Sequence, residues 1–192
     1  MLPLGHATLA YLCYVAYAAI GTHRLPARLA LLPVLFGSQF PDLVDKPLAY
    51  VGVLTYGRSL AHSVFTFALV SGAVWYVSVR LADRWPTGSP LDRLRRLTPA
   101  AFAIGYASHL LGDTYTFFLS GKYYAARFLL YPLFPVPESP ADEIAPWTRM
   151  IRIYQDMDTH PQIELIVAAL AVFVGLRLIT YFANAKRPRQ LQ

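Results

Sequence analysis

The sequence predicts an all-α protein, a polytopic integral membrane bundle of about five membrane helices, folded as a single domain over residues 1–192. Three observations carry this expectation. The chain has 192 residues, of which 56% are hydrophobic and 15% charged. Its mean hydropathy of +0.40 is too high for an ordinary water-soluble domain. Several apolar runs approach the roughly 20 residues that a helix needs to cross about 30 Å of hydrocarbon.

The first apolar run extends from about Leu2 to Ile20. No Lys or Arg precedes it and no cleavage signal follows, so it reads as a retained first helix. Breaker residues from Gly21 to Pro26 end it. The second run, about 27–40, contains Pro33 and is short, so it crosses fully or re-enters. Pro41 discourages helix at Phe40 and predicts a polar loop over Pro41–Pro47. A third helix is expected over about Ser59–Leu81, a basic loop over Arg84–Arg96, and a fourth helix over about Thr98–Leu119. Residues 120–162 read as an interfacial and extracytoplasmic region, aromatic and basic at first, then rich in proline and acids. The last helix covers about Ile163–Ala183 and leads into a basic tail.

If all five helices span, one side of the membrane holds eleven Lys and Arg against two acids, and the other six against nine. The positive-inside rule makes the first side cytoplasmic, with the C-terminus there and the N-terminus outside. The same asymmetry accounts for the net charge of +6 without nucleic acid, for which the chain has no recognition motif. Cys13 is the only cysteine, which excludes an intrachain disulfide and a cysteine-based zinc site.

Six ionisable residues lie in or beside the apolar runs: His6, Asp42, Asp45, His62, His109 and Asp113. Such groups are expensive at membrane depth and are rarely left there without a partner or a task. The orientation above brings all six to the outer leaflet. Histidine and carboxylate are also the ligands of divalent metals. His109 and Asp113 are spaced i, i+4, on one helical face and about 6 Å apart along the axis, so both can reach one ion. Gly105 and Ser108 keep the adjoining surface small, so that another helix can come close. Asp42 and Asp45 can present two carboxylates to one or two cations, or form a solvated helix-end loop. Arg58 lies one turn before His62, where a guanidinium can hold a phosphate or anchor the chain at the interface. His23 and His160 lie in loops without sequence neighbours suited to a site.

His6, the run from Phe40 to Pro47, the run from Arg58 to Ser63 and the run from Gly105 to Asp113 together resemble the motif series of the predicted membrane-bound metal-dependent hydrolases. The likeness is to the LexA-regulated inner-membrane, YdjM-like type, over about residues 1–135. That family is distantly similar to zinc-dependent phospholipase C and P1-type nucleases. The resemblance implies metal roles for His6, Asp42, Asp45, His62, His109 and Asp113. It also implies one to three divalent ions, zinc above Mn or Mg, in a prokaryotic inner membrane. Two residues separate the aspartates where the family usually has one, and Lys46 stands where it has His, so Asp45 is open between ligand and general base. Gly57 stands where the family often has His.

The expected function is hydrolysis of a phosphoric ester in a phospholipid or lipid-linked phosphate. Asp45 and Arg58 are the catalytic candidates. The alternatives are a metal or proton transporter using the same cluster, which predicts ionisable residues continuing across the bilayer, and a non-catalytic membrane scaffold, which predicts no metal.

Overall fold

The computed structural model describes residues 2–136, 144–155 and 162–185. The acids Glu138, Asp142, Glu143, Asp156 and Asp158, together with His160 and the basic tail from Lys186, lie outside the described residues. Among the described residues the protein is all-helical, without strands. Its helices are α1 (Pro3–Ala16), α2 (Leu31–Tyr50), α3 (Val64–Arg80), α4 (Pro90–Leu119), α5 (Pro146–Gln155) and α6 (Ile163–Ala185). A π-helical turn, Tyr17–Gly21, extends α1, and a 3₁₀ segment, Tyr123–Leu130, follows α4.

Two of these helices are long and apolar enough to cross a membrane, Pro3–Gly21 and Ile163–Phe182. The expectation of five spans is therefore not confirmed. α3 is apolar but has only 17 residues. α2 carries Asp42, Asp45 and Lys46, and α4 opens with Asp92, Arg93, Arg95 and Arg96. Large apolar side chains nevertheless cover the outside, among them Leu32, Leu69, Trp75, Leu170 and Phe182. So much exposed apolar surface belongs against lipid or a partner rather than water.

α4 is the central element and packs most extensively on α2, then on α1 and α3. Glycine sets the closeness of the α2–α4 crossing. A Cβ at Gly105 would lie 2.2 Å from the Val34 carbonyl oxygen, and one at Gly37 would lie 2.4 Å from that of Phe102. Backbone meets backbone here, as the small residues around Gly105 predict. Two buried clusters flank the crossing. Ala10, Tyr14, Ala30, Val34 and Ala101 fill one side; Phe102, Tyr106 and Leu110 fill the other, with Phe40 and Phe67 packed against them.

Three boundaries differ from expectation. α2 does not stop at Pro41 but continues through Pro41 and Pro47 to Tyr50. Proline removes one backbone donor and crowds the preceding turn. Here tertiary packing overrides that local preference: Phe40 lies 5.6 Å from Phe102 and 5.4 Å from Tyr106, ring centre to ring centre. α3 begins at Val64, so residues 51–63 form a turn-rich loop rather than the first turn of a helix; Ser63 caps α3 by accepting from the Phe65 N–H. α4 begins at Pro90, inside the expected basic loop. Ser89 Oγ accepts from the Asp92 N–H and the Asp92 carboxylate accepts from the Gly88 N–H, a reciprocal capping arrangement with proline at the first helical position. The Gly88 N–H, followed by Arg95, holds the Asp92 carboxyl below its ordinary value.

Candidate metal centre

The site forms where the beginnings of α1 and α3 meet the later halves of α2 and α4. Gln39 on α2 donates to the Pro3 carbonyl, which fixes the start of α1, and with it His6, beside the aspartate-bearing stretch of α2. α2 places Asp42 and Asp45 one turn apart. The loop before α3 supplies Arg58 and His62, and α4 supplies His109 and Asp113 on one face. The structure thus brings together all six residues singled out from the sequence, and Arg58 with them. His6, Asp45, His62 and His109 are wholly buried, and Asp113 nearly so.

Hydrogen bonds fix the tautomers of two histidines. His109 Nδ1 lies 2.6 Å from the Ser38 carbonyl oxygen, which can only accept. His62 Nδ1 lies 2.8 Å from Asp45 Oδ2, a carboxylate that also only accepts. Each neutral ring therefore carries its proton on Nδ1 and turns an Nε2 lone pair inward. These two Nε2 atoms face each other at 3.2 Å. Asp42 Oδ1 is 3.5 Å from His62 Nε2 and 3.7 Å from His109 Nε2. Asp113 Oδ2 is 3.6 and 4.0 Å from the same two nitrogens. One ligand atom from each of the four residues lies within 4.8 Å of the others.

With both rings neutral the four inward atoms are all acceptors, and they repel unless a cation, a proton on one Nε2 or a metal ion, joins them. Ligands held about 2.0–2.1 Å from a tetrahedral ion stand about 3.4 Å apart; the five separations given above run from 3.2 to 4.0 Å, so a small inward movement would bring these atoms round one ion. Asp42 Oδ1 is buried and has no hydrogen-bond partner among the described residues, as a metal-directed oxygen would. The residues fit a divalent ion.

The other candidates surround this group. His6 stacks on the His109 ring, with centroids 3.7 Å apart and planes 14° apart. Its Nε2 lies 3.3 Å from Asp113 Oδ1, and neither of its nitrogens has a hydrogen-bond partner among the described residues. Lys46 forms an ion pair with Asp42 Oδ2, one turn along α2. Arg58 Nε donates to Asp113 Oδ2 at 2.8 Å. Asp45 is held by the loop before α3. Its Oδ2 accepts from the Ser59 N–H at 2.8 Å and the His62 N–H at 3.2 Å, and its Oδ1 accepts from the Ala61 N–H at 2.8 Å.

The profile of the YdjM inner membrane protein family matches residues 1–186. The chain belongs to this family. No curated protein and no solved structure matches it. The match extends past the motif-bearing part of the sequence to take in α5 and all of α6. The YdjM family is one of inner membrane proteins, in keeping with the two candidate spans.

Two residues of this YdjM-family site escaped the sequence reading. Tyr106, wholly buried on α4, donates its hydroxyl to the Ala61 carbonyl at 2.5 Å and so ties the His62 loop to the helix of His109. Its position three residues before His109, on the same helical face, is a signal that could have found it. Ser38 contributes only its carbonyl, which no residue type advertises.

Proposed function

We propose that the protein is a membrane-bound, metal-dependent hydrolase, a phosphoesterase acting on a phospholipid or lipid-linked phosphate. The paired Nε2 lone pairs of His62 and His109, facing each other beside two carboxylates, carry this reading. His62, His109, Asp42 and Asp113 would hold the ion, with His6 stacked against His109 as a further ligand or a packing wall. A bound divalent ion lowers the pKa of a water to about 7 and polarises a phosphoryl oxygen.

The chain's own residues supply the rest. Arg58 reaches the site from the loop with its side chain 29% exposed. Its Nε is on Asp113, and its terminal nitrogens have no partner among the described residues, so the fork can meet a phosphate oxygen from the open side. Asp45 acts as a positioning residue: it holds the His62 ring and its loop and leaves neither oxygen for ligation or proton abstraction. Exposed Tyr123 and Tyr124, just beyond α4, suit the headgroup level of a bilayer. With all five apolar segments spanning, the Lys and Arg asymmetry supports an extracytoplasmic site and a cytoplasmic C-terminus.

The test is metal analysis of detergent-purified protein, wild type beside the His109→Ala/Asp113→Ala double variant. The wild type should carry stoichiometric metal and release phosphate or head group from a lipid panel, and the double variant should do neither. A metal-free wild type under metal-replete conditions sinks the reading and leaves a helix-packing scaffold; metal without turnover of any lipid transfers it to transport. For orientation, a cysteine placed beside Glu138 should react with an impermeant reagent added outside intact cells. Labelling only after lysis would reverse the placement.

A further inference from the structure

The oxygens of the two ligand-bearing carboxylates also meet cationic side chains. Asp42 turns Oδ1 toward the histidine nitrogens and gives Oδ2 to the Lys46 ammonium, one helical turn away. Asp113 turns Oδ2 toward the same nitrogens, and that oxygen is also bonded to Arg58. The third carboxylate, Asp45, is saturated by three backbone N–H groups and His62. Carboxylates that bridge neighbouring ions need a second oxygen open to the second ion. At Asp42 a fixed ammonium holds that place.

Resting on the metal-binding reading above, we propose that this centre is built for a single divalent ion, with the Lys46 ammonium standing where a second would sit. Two arguments support it. The first is a donor census. Once His62 Nε2, His109 Nε2, Asp42 Oδ1 and Asp113 Oδ2 are assigned to one ion, the described residues leave two further donors at most, one nitrogen of the His6 ring and Asp113 Oδ1, which lies 3.3 Å from His6 Nε2. Two donors fall short of the three protein ligands of even an open catalytic zinc site. The second argument is charge. Asp42, Asp45 and Asp113 against Lys46 and Arg58 leave one negative charge. One divalent ion turns it into one positive charge; two ions would leave three in a buried pocket, which desolvation opposes.

Full-length protein in detergent is equilibrated with excess Zn²⁺, loosely held metal is removed, and ions per chain are counted by elemental analysis. Wild type should hold one. Lys46→Arg keeps the cation and should also hold one. Lys46→Glu replaces the ammonium by a carboxylate beside Asp42 and makes the empty site more negative by two charges; it should hold two. A wild-type count of two or more overturns the single-ion centre while leaving the hydrolase reading intact. A helical Lys46→Glu protein that still holds one ion also overturns it, because Lys46 is then not what excludes the second. A wild-type count of zero removes both readings. Should Lys46→Glu fail to fold, the wild-type count decides alone.

Discussion

His62 and His109 meet through their Nε2 atoms at 3.2 Å, each with an acceptor behind its Nδ1. A proton and a metal ion therefore compete for the same lone pairs. Metal occupancy should fall as the pH is lowered and return when it is raised, with protons taken up as metal leaves. Titrating metal content against pH by equilibrium dialysis checks this. Occupancy indifferent to acidification would mean that the two imidazoles are not ligands.

Asp45→Asn keeps the shape of the side chain but puts an amide where both oxygens accept. Weaker alignment of His62 should lower metal affinity about 10- to 100-fold without removing a ligand. Competition with a coloured chelator measures it. A loss as complete as that of His62→Ala would instead make Asp45 a direct ligand.

Gly105→Ala should force α2 and α4 apart, since the new methyl would meet the Val34 backbone 2.2 Å away. Separating the helices strains the bond between the Ser38 carbonyl on α2 and His109 on α4, so stability and metal affinity should fall together, stability by about 1–3 kcal/mol. Gly72→Ala, with nothing within 4 Å of its Cβ, is the control and should leave both intact. Thermal unfolding in detergent, with and without metal, reads the comparison.

Tyr106→Phe removes the donor that the buried Ala61 carbonyl depends on. An unsatisfied buried acceptor costs about 1–3 kcal/mol. The loop of His62 should loosen, visible as faster amide exchange over residues 59–63, while helix content stays unchanged.

Ser89→Ala should cost about 1 kcal/mol of stability by uncapping α4. Because Ser89 lies at the end of α4 opposite Asp113, metal content should not change. A change in metal binding would show that the two ends of α4 are coupled.

The residue types of the site were legible in the sequence because histidine and aspartate inside apolar runs need a reason to be there. The i, i+4 spacing of His109 and Asp113 translated directly into a shared face, since nothing interrupts α4 around them. The small residue Gly105 also announced its close crossing. Helix boundaries were less legible. Pro41 spoke for a loop and was overruled by Phe40 packing on Phe102 and Tyr106, a contact between residues more than 60 apart in sequence. Ser89, Pro90 and Asp92 did carry the start of α4 in plain form, but the arginines after them suggested a loop. Asp45 was the hardest to read. Its partners are backbone N–H groups 14 to 17 residues further on, and side-chain patterns do not mark where those will point.

Because Asp45 gathers the Ser59, Ala61 and His62 N–H groups by itself, the loop bearing Arg58 and His62 has an internal scaffold independent of any ion. Chelation should then empty a standing receptacle rather than collapse it, unlike small zinc domains that unfold on losing their metal. Building the cavity and filling it become separate events, so the chain can insert and fold first and be loaded later from whichever compartment its mouth faces.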